Sequence, residues 1–127
     1  MSKTFLILGA AAAFLAVAIG AFGAHAVKSR ISADLLEIYN TGTAYHFYHS
    51  FAVLIVGILL FLAPHPNGWL NWSGWLFLAG IILFSGSLYT LALSGIRTFG
   101  AVTPFGGLCF LAGWLCMAVG SWRAFSH

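Results

Sequence analysis

The chain has 127 residues, of which 61% are hydrophobic and 6% charged, and it carries a formal net charge of +3. With a mean hydropathy of +1.00, it lacks the charged surface that keeps a soluble domain dispersed. Its five Lys and Arg residues are scattered and form no basic tract, which excludes a nucleic-acid-binding surface.

A membrane-spanning helix needs ~20 mainly apolar residues, each advancing ~1.5 Å through a hydrocarbon layer ~30 Å thick. Four stretches meet that requirement: residues 5–27, 45–63, 72–93 and 105–125. The expectation is an all-α integral membrane bundle of four antiparallel transmembrane helices with short loops. It forms a single transmembrane domain over residues 1–127, with both termini on one side.

The first stretch follows Lys3 and ends near Ala24, His25 and Ala26, which imitates a cleavable leader with its small-x-small site. It is longer than a typical leader core and reads as a retained first span. Small residues let helix backbones approach in lipid, where the hydrophobic effect contributes little to association. The i+4 series Ala16, Gly20 and Ala24, with Gly9, Ala13 and Gly23 near it, therefore predicts the packing surface of span one.

The connection over residues 28–42 is the most charged one, with Lys28, Arg30, Asp34 and Glu37. Ser32 followed by Asp34 predicts a helix start, with the carboxylate facing the positive end of the dipole. This segment lies in the interface or extends span two towards water, and Asn40, Thr41 and Gly42 are the expected bend.

Span two opens with Tyr45, His46, Tyr48 and His49; the two histidines at i and i+3 share a face. Ionisable groups at membrane depth are expensive and normally face a bundle interior, a pocket or a partner. His25 at the end of span one lies on the same side of the membrane, as do Glu37, Asp34 and Arg97. A polar cluster of His25, Glu37, Tyr45, His46, His49 and Arg97 is therefore the candidate site. Three readings stay open for it: metal or haem ligation by the imidazoles, a proton relay involving Glu37, or a hydrogen-bonded tie between spans one and two.

Pro64, Pro66, Asn67 and Gly68 mark a tight turn between spans two and three, and Trp69, Trp72 and Trp75 place a membrane boundary beside it. Span three carries Ser85, Ser87, Tyr89 and Thr90 and leads through Arg97 to Pro104. Arg97 can pair with Glu37 or Asp34, bind a lipid phosphate, or simply reach the interface. Positive charge is split between the two sides, with Lys28, Arg30 and Arg97 against Lys3 and Arg123, a balance that leans towards a cytoplasmic first and third connection. On span four, Gly106, Cys109, Gly113, Cys116 and Gly120 form a second small-residue stripe. Cys109 and Cys116, ~10 Å apart on one helix, are too distant to form a disulfide and read as buried thiols.

No phosphate loop, nucleophile elbow, zinc-protease helix or catalytic carboxylate pair occurs. The sequence thus points to a non-enzymatic binding or accessory protein, with no cofactor. The polar cluster would hold a membrane lipid, a quinone-like ligand or a partner protein, in a homo-oligomer or a larger membrane complex. A small oligomeric channel or proton-coupled transporter is the alternative, and haem or metal binding through His25 and His49 a third.

Four strings, GAFGAHAV at residues 20–27, TGTAYHFYHSFAVL at 41–54, FSGSLYTLALSG at 84–95 and GAVTPFGGLCFLAGW at 100–114, cover all four spans in order. In them the chain resembles the family called domain of unknown function 423. The resemblance implies a small four-span protein of bacterial inner membranes, similar to a mitochondrial relative in animals, without an established activity. In the family pattern a glutamine often stands where this chain has His46, which shifts any ligand role towards His25 and His49.

Overall fold

The computed structural model describes residues Met1–His127. Four helices are long and apolar enough to cross a membrane: α1 (Ser2–Val27), α2 (Ala33–Leu62), α3 (Gly68–Ser94) and the helix that follows the 3₁₀ turn Arg97–Ala101, α4 (Thr103–Phe125). Large apolar side chains such as Phe14, Phe61, Ile82, Leu111 and Trp122 point outward. Such a surface requires lipid as its solvent.

The helices pair as two antiparallel hairpins, α1 with α2 and α3 with α4. Glycines set both interfaces. Along α4, Gly106, Gly113 and Gly120 recur every seven residues, and each receives a large side chain of α3: Phe84, Phe77 and Leu70, which recur at the same interval in the opposite direction. A Cβ at Gly113 would sit 2.7 Å from the Phe77 ring, and one at Gly120 2.9 Å from Leu70. Matched seven-residue steps keep two antiparallel helices in register along one seam. In the first hairpin, Gly9 lies against Leu54, Gly57 against Leu6, Gly20 against Thr43 and Gly23 against the Tyr39 ring.

The buried face of α1 departs from the expected i+4 series. It runs Phe5, Gly9, Ala12, Ala16, Gly23 and Val27, with Gly20 half-buried, while Ala24 faces outward. Residues turn ~100° each, so a strict i+4 series drifts ~40° per step, whereas mixed steps of three and four stay on one side. The last turn of α1, Gly23–Val27, is a π turn, closed by Lys28 N donating to the Gly23 carbonyl at 2.9 Å.

The expected bend at Asn40, Thr41 and Gly42 is absent, because α2 continues through it as one 30-residue helix. Gly42 serves instead as a contact, since a Cβ there would lie 3.0 Å from the Tyr89 ring. At ~1.5 Å per residue α2 is ~45 Å long, enough to cross the hydrocarbon and reach through the headgroups. Its first turn, with Asp34, therefore lies outside the hydrocarbon.

α2 is the central helix, joining the hairpins through α3. The core between them holds Phe5, Ala12, Ala52, Val53, Val56, Phe77, Ile81 and Phe110. Serines add hydrogen bonds where backbones are close: Ser85 donates to the Gly42 carbonyl at 2.7 Å and Ser73 to the Gly113 carbonyl at 2.9 Å. α3 contains its own π turn, Ile81–Ser85, which re-aims Phe84 and Ser85 relative to the helix below.

At the tight turn, the Asn67 side chain accepts from Leu70 N at 3.4 Å as the α3 cap and donates to the Gly120 carbonyl at 3.0 Å. Gly95 ends α3 with φ +72°, a left-handed residue that closes the helix without a Cβ penalty.

Candidate functional site

The six polar residues singled out in the sequence occupy three places. His25 is exposed on the π turn of α1, and Glu37 is exposed on the projecting part of α2. Arg97 pairs with Asp34 rather than Glu37, at 2.7 Å, and both partners are about two-thirds exposed. Ser32 donates to the other Asp34 oxygen at 2.6 Å. The Ser32 hydroxyl and then the Arg97 guanidinium hold the Asp34 carboxyl below the usual carboxylate range.

His46 is buried at the junction of the hairpins. Its Nδ1 lies 2.9 Å from the Tyr89 hydroxyl, and its ring also meets the backbone of Ala12 on α1. Tyr39, about two helical turns earlier, donates to the Ile19 carbonyl at 2.5 Å. These contacts tie α1, α2 and α3 together. In this structure His46 acts as a link between helices.

Tyr45 and His49 face a different way, into a cleft between α2 and α4. Because α4 packs on α3 and scarcely touches α2, a gap of about 590 Å³ opens towards lipid, lined by Tyr45, His49, Phe84, Pro104, Phe110 and Trp114 among others. It runs from the level of Pro104, at the start of α4, to Trp114, ten residues and ~15 Å deeper. The π turn of α3 brings Phe84 into its wall, 4.7 Å from the Tyr45 ring. The His49 imidazole stacks on Phe110 with centroids 3.5 Å apart and planes at 10°.

Hydrogen bonds fix the chemical form of His49. Trp114 Nε1 lies 3.1 Å from His49 Nε2, and an indole N–H can only donate, so Nε2 is the unprotonated nitrogen. His49 Nδ1 lies 2.8 Å from the Tyr45 carbonyl, which can only accept, so Nδ1 carries the proton. The ring is neutral, of one tautomer, and has no free lone pair. A proton added at Nε2 would confront the indole N–H. Nε2 is also the nitrogen a metal or haem iron would take, and no three His, Cys, Asp or Glu side chains gather as a metal site. The cleft therefore offers aromatic faces and the Tyr45 phenol, without a free base or nucleophile.

Trp114 is the cleft residue that sequence reasoning passed over. It is on the same face of α4 as Gly107 and Leu111, at steps of seven and three, and that spacing was the available signal. One buried side-chain polar atom, Asn71 Oδ1, has no hydrogen-bond partner.

Residues 19–107, well over half of the chain, match the family described as "Protein of unknown function (DUF423)". A UPF0382 membrane protein of Staphylococcus saprophyticus is 45% identical over 121 residues, covering 95% of this chain and 98% of that protein. A UPF0382 membrane protein of Bacillus subtilis is 44% identical over 119 residues, covering 92% of this chain and 94% of its own length. No solved structure matches the chain.

Proposed function

The chain belongs to the DUF423 family of proteins of unknown function, and on that premise we propose that it is a non-enzymatic protein that holds a quinone-like amphiphile in the cleft between α2 and α4. The observation that carries this reading is the saturated His49 ring. With both nitrogens engaged, the most polar group of the cleft serves as a rigid wall, while Tyr45 at the mouth keeps a phenol available for one hydrogen bond. A flat head on an apolar tail fits such a lining: aromatic rings to stack on, one polar contact near the headgroups, and an open side for the tail. The occurrence of the relatives in bacteria supports placement in the bacterial inner, or plasma, membrane.

The transport alternative draws less support. The space between the helices is filled by Phe5, Val53, Val56 and Phe77, so one chain supplies no polar path of its own.

Native mass spectrometry of protein extracted gently from its own membranes tests the reading. The wild type is expected to carry a discrete bound mass in the range of isoprenoid quinones. Leu111→Trp fills the cleft from its lipid-facing wall and is expected to remove that mass while leaving the far-ultraviolet circular dichroism of the folded protein unchanged. Bare wild-type protein, or an undiminished ligand in Leu111→Trp, would overturn it.

A further inference from the structure

A second cleft lies at the opposite membrane face and is independent of the one above. It occupies about 570 Å³ between the first turns of α3 and the last turns of α4, with Trp69, Trp72 and Arg123 at its outer end and Leu76 and Cys116 at its inner end. The Arg123 guanidinium stands over the Trp69 ring, 5.6 Å from its centroid, which holds it at the cleft. It forms no ion pair, since the sole salt bridge joins Arg97 and Asp34. Both acidic residues of the chain, Asp34 and Glu37, lie at the other face of the membrane, so no acidic side chain can reach Arg123. Lys3 shares the Arg123 face, which therefore carries two basic side chains and no acidic one.

The polar and apolar ends of this cleft are arranged along the membrane normal. Cys116 precedes Arg123 by seven residues on one helix, which sets the inner end ~10 Å deeper than the cation. Tryptophan rings mark the headgroup level, so Arg123 stands at the depth of lipid phosphates while Leu76 and Cys116 lie at the depth of the first acyl carbons. We propose that this cleft binds one anionic phospholipid, with its phosphate on Arg123 between Trp69 and Trp72 and its acyl chain along Leu76 and Cys116.

The test is native mass spectrometry of full-length protein titrated with phosphatidylglycerol, with phosphatidylcholine of the same chain length, and with inorganic phosphate. Phosphatidylglycerol is expected to be retained with a stoichiometry of one, above phosphatidylcholine, and inorganic phosphate is expected not to be retained. Arg123→Gln, at an exposed position, is expected to lower phosphatidylglycerol affinity about fivefold, the factor that corresponds to ~1 kcal/mol for one basic residue at an anionic surface. Arg123→Lys is expected to keep most of it. Lys3→Gln, which removes a cation from the same face outside the cleft, is expected to change affinity less than twofold. Equal losses in Arg123→Gln and Lys3→Gln would show a diffuse surface charge and overturn the site. Equal retention of the two lipids, or inorganic phosphate binding as well as the lipid, would overturn it too.

Discussion

Replacing three glycines by alanine separates tight helix contact from mere helix propensity. At Gly106 an added Cβ would lie 2.7 Å from the Cα of Phe84, so the main chain of α3 itself must move. At Gly113 the obstacle is the edge of the Phe77 ring at 2.7 Å, which can yield by turning. At Gly86, on α3, nothing lies within 4 Å. Overpacking of a filled interface costs ~1–3 kcal/mol, and alanine regains up to ~1 kcal/mol over glycine in a helix. Gly106→Ala should therefore lose about 2 kcal/mol and Gly113→Ala about 1 kcal/mol, while Gly86→Ala should lie between unchanged and a gain of ~1 kcal/mol. Reversible unfolding by dodecyl sulfate in mixed micelles, followed by far-ultraviolet circular dichroism, gives the three values. Wild-type stability in Gly106→Ala, or an equal loss in Gly86→Ala, would refute the assignment of the α3–α4 seam.

Three further outcomes follow from individual hydrogen bonds. Trp114→Phe leaves His49 Nε2 without its donor and should cost ~1–3 kcal/mol; nitrogen-15 spectra of His49 should change from the pure Nδ1–H tautomer to a mixture, and an unaltered spectrum would contradict the bond. Ser85→Ala removes the donor to the Gly42 carbonyl and should cost ~0.5–1 kcal/mol, in the range of hydrogen bonds between membrane helices. The Asp34 carboxyl is held below its ordinary value in the folded protein by Ser32 and Arg97, so its contribution to stability is complete above the unfolded value and disappears as pH falls through the folded one. Melting temperatures between pH 7 and 5 should show no contribution from this group, the loss appearing only in more acid solution. Arg97→Gln should make that loss smaller and complete at higher pH, and coincident curves for wild type and variant would rule the pair out.

The four spans and the tight turn after Pro64 were legible because they depend on composition and on backbone preferences that lipid enforces locally. The pairing of Arg97 was legible only as a choice between Asp34 and Glu37. Ser32 helps decide it, since its hydroxyl orients the Asp34 carboxylate. The continuity of α2 through Gly42 was hidden because a glycine that reads as a bend can equally be a seat for a neighbouring ring, and only the position of Tyr89 distinguishes the two. The dispersal of the polar cluster has a similar origin. His46 and His49 share one helical face by spacing, yet the one bonds Tyr89 on α3 and the other Trp114 on α4, so they serve different neighbours of the central helix. Those partners lie 43 and 65 residues away in the chain, beyond any local pattern.

The two glycine-seated seams make the molecule divisible. Each closes within one half of the chain, and Asn67, the residue beyond the Pro64–Pro66 turn, directs both of its side-chain contacts with helix elements into the second half. During synthesis the first half can complete its own pairing before the second emerges, and the halves then meet through the Ser85–Gly42 and Tyr89–His46 contacts. Two separately expressed fragments cut within that turn retain every residue their internal pairing needs, so co-expression should reassemble the whole from its parts.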